Sequence, residues 1–173
     1  MAWSTISNFS SGESNIVAKL NQYRDNAKSL RLFNDHGVIL SLADDMSVND
    51  SSLTNISWDV EQYQVGSIWT IGDPTKLYAP VTGKYTVMLN VEWRSSGSGV
   101  RSTGLTWSSG PLNIDLVYQA AVSGGVNMSG MEHMLMTAGQ SLTMYCFQTS
   151  GGTIGIRGNG PDRTTVAMWL MGI

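Results

Sequence analysis

The sequence predicts an all-β fold, a jelly-roll β-sandwich, preceded by an N-terminal extension that contains one amphipathic helix. From Val38 onward, about eight to ten short runs of strand character follow one another, with turn signals every eight to twelve residues. One of them, "GKYTVMLNVEW", alternates almost strictly, which means a strand with one well-buried face. Residues 1–36 follow a different period, with apolar residues recurring every three or four positions.

The N-terminal segment, residues 1–36, is predicted to hold a helix over about 14–30, roughly four turns. Ile16, Val17, Leu20, Tyr23, Ala27 and Leu30 form its apolar stripe, Gly12 and Ser14 suit its entry, and Asn34-Asp35 with Gly37 suit its exit. A lone amphipathic helix needs a cover for that stripe, from its own domain, a sister subunit or a docking partner.

Residues 37–173 form the β domain. "VILSLA" reads as a first strand, "SLTNISWDVEQYQ" as a less regular aromatic-rich one, and "GSIWTIGDPTK" as a turn-rich link with a tight turn at Asp73-Pro74. In the alternating run after Pro80 and Gly83, Tyr85, Val87, Leu89, Val91 and Trp93 face one way, and Thr86, Met88, Asn90 and Glu92 the other. "RSSGSG" is a loop by composition. "VRSTGLTW", "LNIDLVYQA", "VNMSGMEHMLMTA", "SLTMYCFQTS", "TIGIRG" and "TTVAMWLMGI" complete the strand set, punctuated at Ser109-Gly110-Pro111, Ser123-Gly124-Gly125, Gly139-Gln140 and Gly151-Gly152. Met128, Met131, Met134 and Met136 do not alternate strictly, which predicts a bulge or a break in that strand. The last strand is apolar on both sides, Val166, Met168 and Leu170 against Ala167, Trp169 and Met171. One side suits the core, and the other needs a cover that a neighbouring subunit could supply.

Composition narrows the function. Only 13% of the 173 residues are charged and the net charge is −3, with no basic block, so a backbone-tracking nucleic-acid site is not expected. A single cysteine, Cys146, excludes an internal disulfide and a cysteine-rich metal site; its apolar surroundings, "LTMYCF", predict a buried structural thiol. No signal peptide and no eighteen-residue apolar window appear, which predicts synthesis in the cytoplasm and no membrane insertion.

Catalytic chemistry finds little to use. The two histidines, His36 and His133, do not make a zinc site of four ligands. No nucleophile elbow and no phosphate-binding loop is present. Asp44, Asp45, Asp50 and Asp59 scatter over early loops. "ADDMSVND" could offer oxygens to a cation, but without the EF-hand spacing, and nothing selects the pair of acids a glycosidase needs. The sequence therefore predicts no enzyme and no cofactor.

Trp58, Tyr63, Gly66, Trp69, Pro80, Gly83, Tyr85 and Trp93, followed by Gly139-Gln140 before "LTMYCFQTSGG" and by the terminal "VAMWLMGI", give residues 38–173 an order that resembles the tumour-necrosis-factor-like jelly roll, also seen in complement-type globular heads. The resemblance implies a homotrimer in which a Gly-x-Tyr strand and the final strand lie centrally in the inner sheet, near a three-fold axis. Tyr85, Trp93, Met168, Trp169 and Met171 would then supply subunit contacts; the residues themselves leave Trp93 and Trp169 open between core and interface. "WSTISNFSSGESNIVAKLNQYRDNAKSL", with Trp3, Gly12-Glu13, Leu20-Asn21 and Arg24-Asp25-Asn26, resembles the opening of bacteriophage minor tail and fibre proteins, although "IVAK" stands where Thr-Ala is usual. This implies a virion protein, made in the host bacterium, whose segment bearing Trp3, Ile16, Leu20, Tyr23 and Arg24 attaches to other virion proteins.

The first expectation is thus a structural virion module, a homotrimeric fibre, head decoration or tail-associated part. The alternative is a host-surface recognition module for a glycan or protein. It would use loop contacts at Trp107 and around "RSSGSG", where Arg94 and Arg101 lie. A glycan hydrolase ranks last.

Overall fold

The computed structural model describes residues 36–108, 113–161 and 163–173. The helix expected over 14–30, the attachment residues Trp3, Ile16, Leu20, Tyr23 and Arg24, and the turn at Ser109-Gly110-Pro111 lie outside them.

The described residues form twelve strands: β1 (Gly37–Ser41), β2 (Met46–Val48), β3 (Thr54–Asn55), β4 (Val60–Val65), β5 (Lys76–Tyr78), β6 (Gly83–Trp93), β7 (Val100–Trp107), β8 (Asn113–Ala120), β9 (Val126–Met136), β10 (Ser141–Gln148), β11 (Ile154–Ile156) and β12 (Thr165–Gly172). They make an all-β, two-sheet jelly roll. The first sheet runs β4–β1–β12–β6–β9, every pair antiparallel. Beyond the end of β12, β11 takes over beside β6, with Ile156 opposite Trp93, and β2 pairs the far side of β11. In the second sheet β10 is central, flanked by β3 and β5 along one edge and by β7, then β8, on the other.

The core lies between the sheets and follows from the period of two. Tyr85, Val87, Leu89, Val91 and Trp93 of β6 point into it, as do Val166, Met168 and Leu170 of β12 and Leu142, Met144 and Cys146 of β10. Burial of Tyr85 leaves its hydroxyl one partner, the Val81 carbonyl, to which it donates at 2.8 Å. Burial in apolar surroundings pushes the Cys146 thiol well above its ordinary pKa, the state of an inert structural cysteine.

Two strand expectations need correction. β9 contains no bulge: its eleven residues pair with β6 from Gly83↔Met136 to Trp93↔Val126 without a register shift. The methionines seemed irregular because they divide between faces, with Met128, Met134 and Met136 in the core and Met131 outside. The acidic segment read as loop contains β2, whose Val48 is buried. The stretch read as a turn-rich link is one, running through turns to the start of β5 at Lys76, and it also supplies two buried core residues, Ile68 and Trp69.

Gly104 shows how tightly the second sheet is built. The β7–β8 register shifts between Thr103 and Gly104, and the Tyr145 ring crosses Gly104 to donate to Asp115 Oδ1 at 2.6 Å. A Cβ on Gly104 would stand 2.2 Å from the Ile114 carbonyl oxygen and 2.5 Å from the Tyr145 hydroxyl. Gly104→Ala is therefore expected to lower stability by about 1–3 kcal/mol, read as a lower urea midpoint at unchanged slope. Gly97→Ala, where a Cβ meets nothing within 4 Å, should stay within about 0.5 kcal/mol.

Candidate functional site

The outward face of the first sheet carries one continuous apolar row. Reading across the strands by register, Tyr63 of β4 neighbours Ile39 of β1, which neighbours Ala167 of β12, then Met88 of β6, then Met131 of β9. At the strand spacing of sheets this row is about 19 Å wide. Met88 and Met131, at the β6–β9 end of the row, are 50% and 53% exposed, and Tyr63, at the other end, is 45% exposed; Ile39 and Ala167 between them are partly buried. Large apolar side chains half open to water at both ends of one row are an unusual surface for a protein with so few charges.

The neighbouring rows define the limits of that patch. On one side stand Val65, Gly37, Trp169, Thr86 and His133. The Trp169 indole lies over Gly37, whose absent Cβ would be 2.4 Å from its ring, and His133 Nδ1 shares a 2.8 Å hydrogen bond with the Thr86 hydroxyl. Beyond them, Leu135 is 70% exposed, and Met171 is also exposed. On the other side the row turns polar: Ser41, Thr165, Asn90 and Ser129, with Ser129 donating to Asn90 Oδ1 at 2.7 Å. A shallow groove of about 510 Å³ runs between them, walled by Ile39, Met88, Met131, Ala167 and Trp169.

Of the five residues expected at a subunit interface, Trp169 and Met171 lie on this outward face, whereas Tyr85, Trp93 and Met168 are sealed between the sheets. The physical reason is parity. Tyr85, Trp93 and Met168 occupy the core-facing positions of β6 and β12, and adjacent residues must face outward. Ile39, Tyr63, Met88, Met131 and Leu135, which belong to the outward face, carried no local signal. Ile39, Met88 and Leu135 stand between apolar residues that face the core, Tyr63 stands between two glutamines, and only the strand order places the five side by side.

The loop residues expected to meet a target do not converge. Trp107 ends β7, packs partly against the core and lies about 20 Å from Arg101 at the start of the same strand. Arg94 begins the β6–β7 loop and crosses Gly155 to Asp45, which accepts from its Nε at 2.6 Å and faces its Nη2 at 2.5 Å. Arg101 is fully buried beside Trp93, its guanidinium carbon 5.9 Å from the indole centroid, and donates from Nη2 to the Ser96 carbonyl at 2.6 Å. Burial alone pulls its pKa downward.

The early acids serve the loops. Asp59 accepts from the Ala43 amide at 2.8 Å, and Asp50 accepts from the Gly151 amide at 2.8 Å and the Ser51 hydroxyl at 2.9 Å. Among the described residues no group of three or more His, Cys, Asp or Glu could hold a metal ion, and no helix is long and apolar enough to cross a membrane.

No protein-family model matches the sequence, and no curated protein matches it either. Solved structures do resemble it in fold. The globular domain of zebrafish complement 1qA is 10% identical with a TM-score of 0.57, covering 79% of this chain and 97% of that one. Murine APRIL at pH 5.0 is 11% identical with a TM-score of 0.61 (79% and 98%), and the Eiger TNF of S. frugiperda 11% identical with a TM-score of 0.54 (79% and 92%). At these identities the likeness establishes the architecture alone. The chain has the tumour-necrosis-factor and complement-head type of jelly roll, as the order of its aromatic and glycine residues implied.

Asp45 gives this end of the molecule a pH dependence. Burial raises its pKa, but the Gly158 amide, donating at 3.1 Å, and the Arg94 guanidinium outweigh it, so the carboxyl sits below its ordinary value. A depressed carboxyl contributes stability that is complete above its unfolded pKa and lost as pH falls through its folded pKa. Asp45→Asn should therefore flatten the acid side of a stability–pH curve below the usual carboxylate range, measured by thermal melts, and leave the basic side unchanged.

Proposed function

We propose that this chain is a self-assembling recognition module of a bacteriophage virion. Three copies pack through the outward face of the first sheet, residues 1–36 fix the assembly to other virion proteins, and the loop end carrying Arg94 meets a host-surface glycan or protein. The observation that carries the assembly is the apolar row from Tyr63 to Met131 with Trp169 and Leu135 beside it. Its width matches a partner of sheet dimensions, and its polar border at Asn90 and Ser129 is the rim expected of an interface. The architecture shared with complement 1qA, APRIL and Eiger TNF supports the reading at the level of fold. The virion setting rests on the N-terminal resemblance.

Recognition is favoured over a purely structural fibre or decoration by the second surface. A polar groove lies among the loops at one end of the sandwich, lined by Arg94 and several serines, and shares no residue with the groove on the outward face. A glycan hydrolase has no such support, since the early aspartates with side-chain partners are engaged with backbone amides and Arg94.

Light scattering on the purified protein should give a mass near three times 18.7 kDa, about 56 kDa, at two concentrations. Met88→Lys should shift the mass to 18.7 kDa with the β-sheet circular dichroism retained. A wild-type mass of 18.7 kDa at both concentrations would refute the assembly.

A further inference from the structure

The loop-end groove is underlain by a buried cation with two unused donors. It measures about 600 Å³ and lies between two loops. Arg94, Ser95 and Ser96 form one wall, and Ser150, Gly151 and Gly152 the other. Each wall is held from below by a buried polar side chain. Gln148 donates from Nε2 to the Gly152 carbonyl at 2.6 Å and accepts the Ser150 amide at 2.6 Å. Arg101, its register partner on β7, donates to the Ser96 carbonyl. Gln148 spends its amide nitrogen twice, the second time on the Val48 carbonyl at 3.1 Å. Arg101 does not reach that state: its Nε and Nη1 are buried and have no hydrogen-bond partner among the described residues.

A guanidinium at 0% exposure with no carboxylate beside it among the described residues is a costly arrangement. The Trp93 ring offsets part of that cost, at the far limit of cation–π range. A well-packed apolar replacement of a buried charge is often neutral or stabilising, so stability alone does not account for this residue. Ser95 is tied by accepting from the Gly124 amide and Ser98 by donating to the Ser150 carbonyl, each at 3.1 Å, and among the described residues the Ser96–Gly97 tip between them is held by the Arg101 bond. Exchanging the Ser96 carbonyl for a stronger acceptor from the groove turns that tip without disturbing either anchor.

The geometry points to an oxyanion site for an acidic saccharide. A carboxylate or phosphate entering between the walls takes Arg101 as its fork-shaped partner, while Arg94, whose charge is balanced by Asp45, lines the groove beside it. The saccharide hydroxyls meet the hydroxyls of Ser95, Ser96, Ser150 and Thr153 that line the groove. The volume suits one or two sugar rings. This assignment rests on the recognition reading and names the ligand class of its loop end.

The test titrates the full-length protein with a galacturonate disaccharide, with galactose 1-phosphate and with the neutral galactose disaccharide. Binding is read by calorimetry and by the thermal midpoint. One or both acidic ligands should bind and raise the midpoint, and the neutral one should not; whichever acid binds identifies carboxylate or phosphate as the source. In Arg101→Met the dissociation constant should rise at least about tenfold, while the ligand-free thermal midpoint stays equal or rises. Arg94→Gln, at a half-exposed position, gives a second variant with the same expected direction if Arg101→Met fails to fold. Absence of binding by both acids, or equal binding of acidic and neutral ligands, would overturn the site. Binding unchanged in the variants would overturn it too, while leaving recognition elsewhere on the chain standing.

Discussion

The structure depends on β6 being paired along both edges while showing opposite chemistry on its two faces. β9 and β12 hold it through almost its whole length, so its residues cannot rotate or slip. A slip of one residue would bring Met88, Asn90 and Glu92 into the core and turn Tyr85, Val87 and Leu89 to the outside. Everything else is keyed to that register. The core is the set of residues that face Tyr85 to Trp93, and the outward row exists because Met88 meets Ala167 on one side and Met131 on the other.

That constraint also decides what could be read from the sequence. The strand pattern and the loop at "RSSGSG" were legible because they rest on local alternation and on turn residues, and the central place of the last strand followed from the resemblance to the tumour-necrosis-factor-like jelly roll. The buried thiol was legible from its apolar neighbours. The outward row was not, since Tyr63, Ile39, Ala167, Met88 and Met131 are scattered from position 39 to position 167 of the sequence and become a surface only through pairing. The same ambiguity misassigned the parity of function. Tyr85, Trp93 and Met168 looked as suitable for an interface as Trp169, and burial separates them by a single step along the strand. The β9 bulge was inferred from uneven methionine spacing, yet both faces of that strand accept methionine.

Arg101 was singled out because it flanks a loop, on the expectation of exposure. Its position on β7 places it on the inward side, at the end of the sandwich where β6 stops at Trp93 and the core narrows. An arginine in that place cannot be recognised from local sequence. Its neighbours "VRSTG" read as an ordinary edge between loop and strand, and the burial comes from β10 and the loops above.

The two surfaces are mechanically separate, and this follows from where β6 ends. The outward row lies at Met88, mid-strand, where β12 and β9 clamp both edges and leave no freedom. The groove lies past Trp93, where β12 has stopped and Ile156 of β11 takes over on that edge. The first position favours a rigid, self-complementary contact. The second favours a surface whose walls are loops gripped from beneath by Arg101 and Gln148, one side chain to each wall. A module that must assemble and also bind needs these properties at different places, because an interface gains from fixed register while a binding loop gains from a replaceable contact. Here a single strand supplies both, the fixed register along its paired length and the replaceable contact just beyond its end.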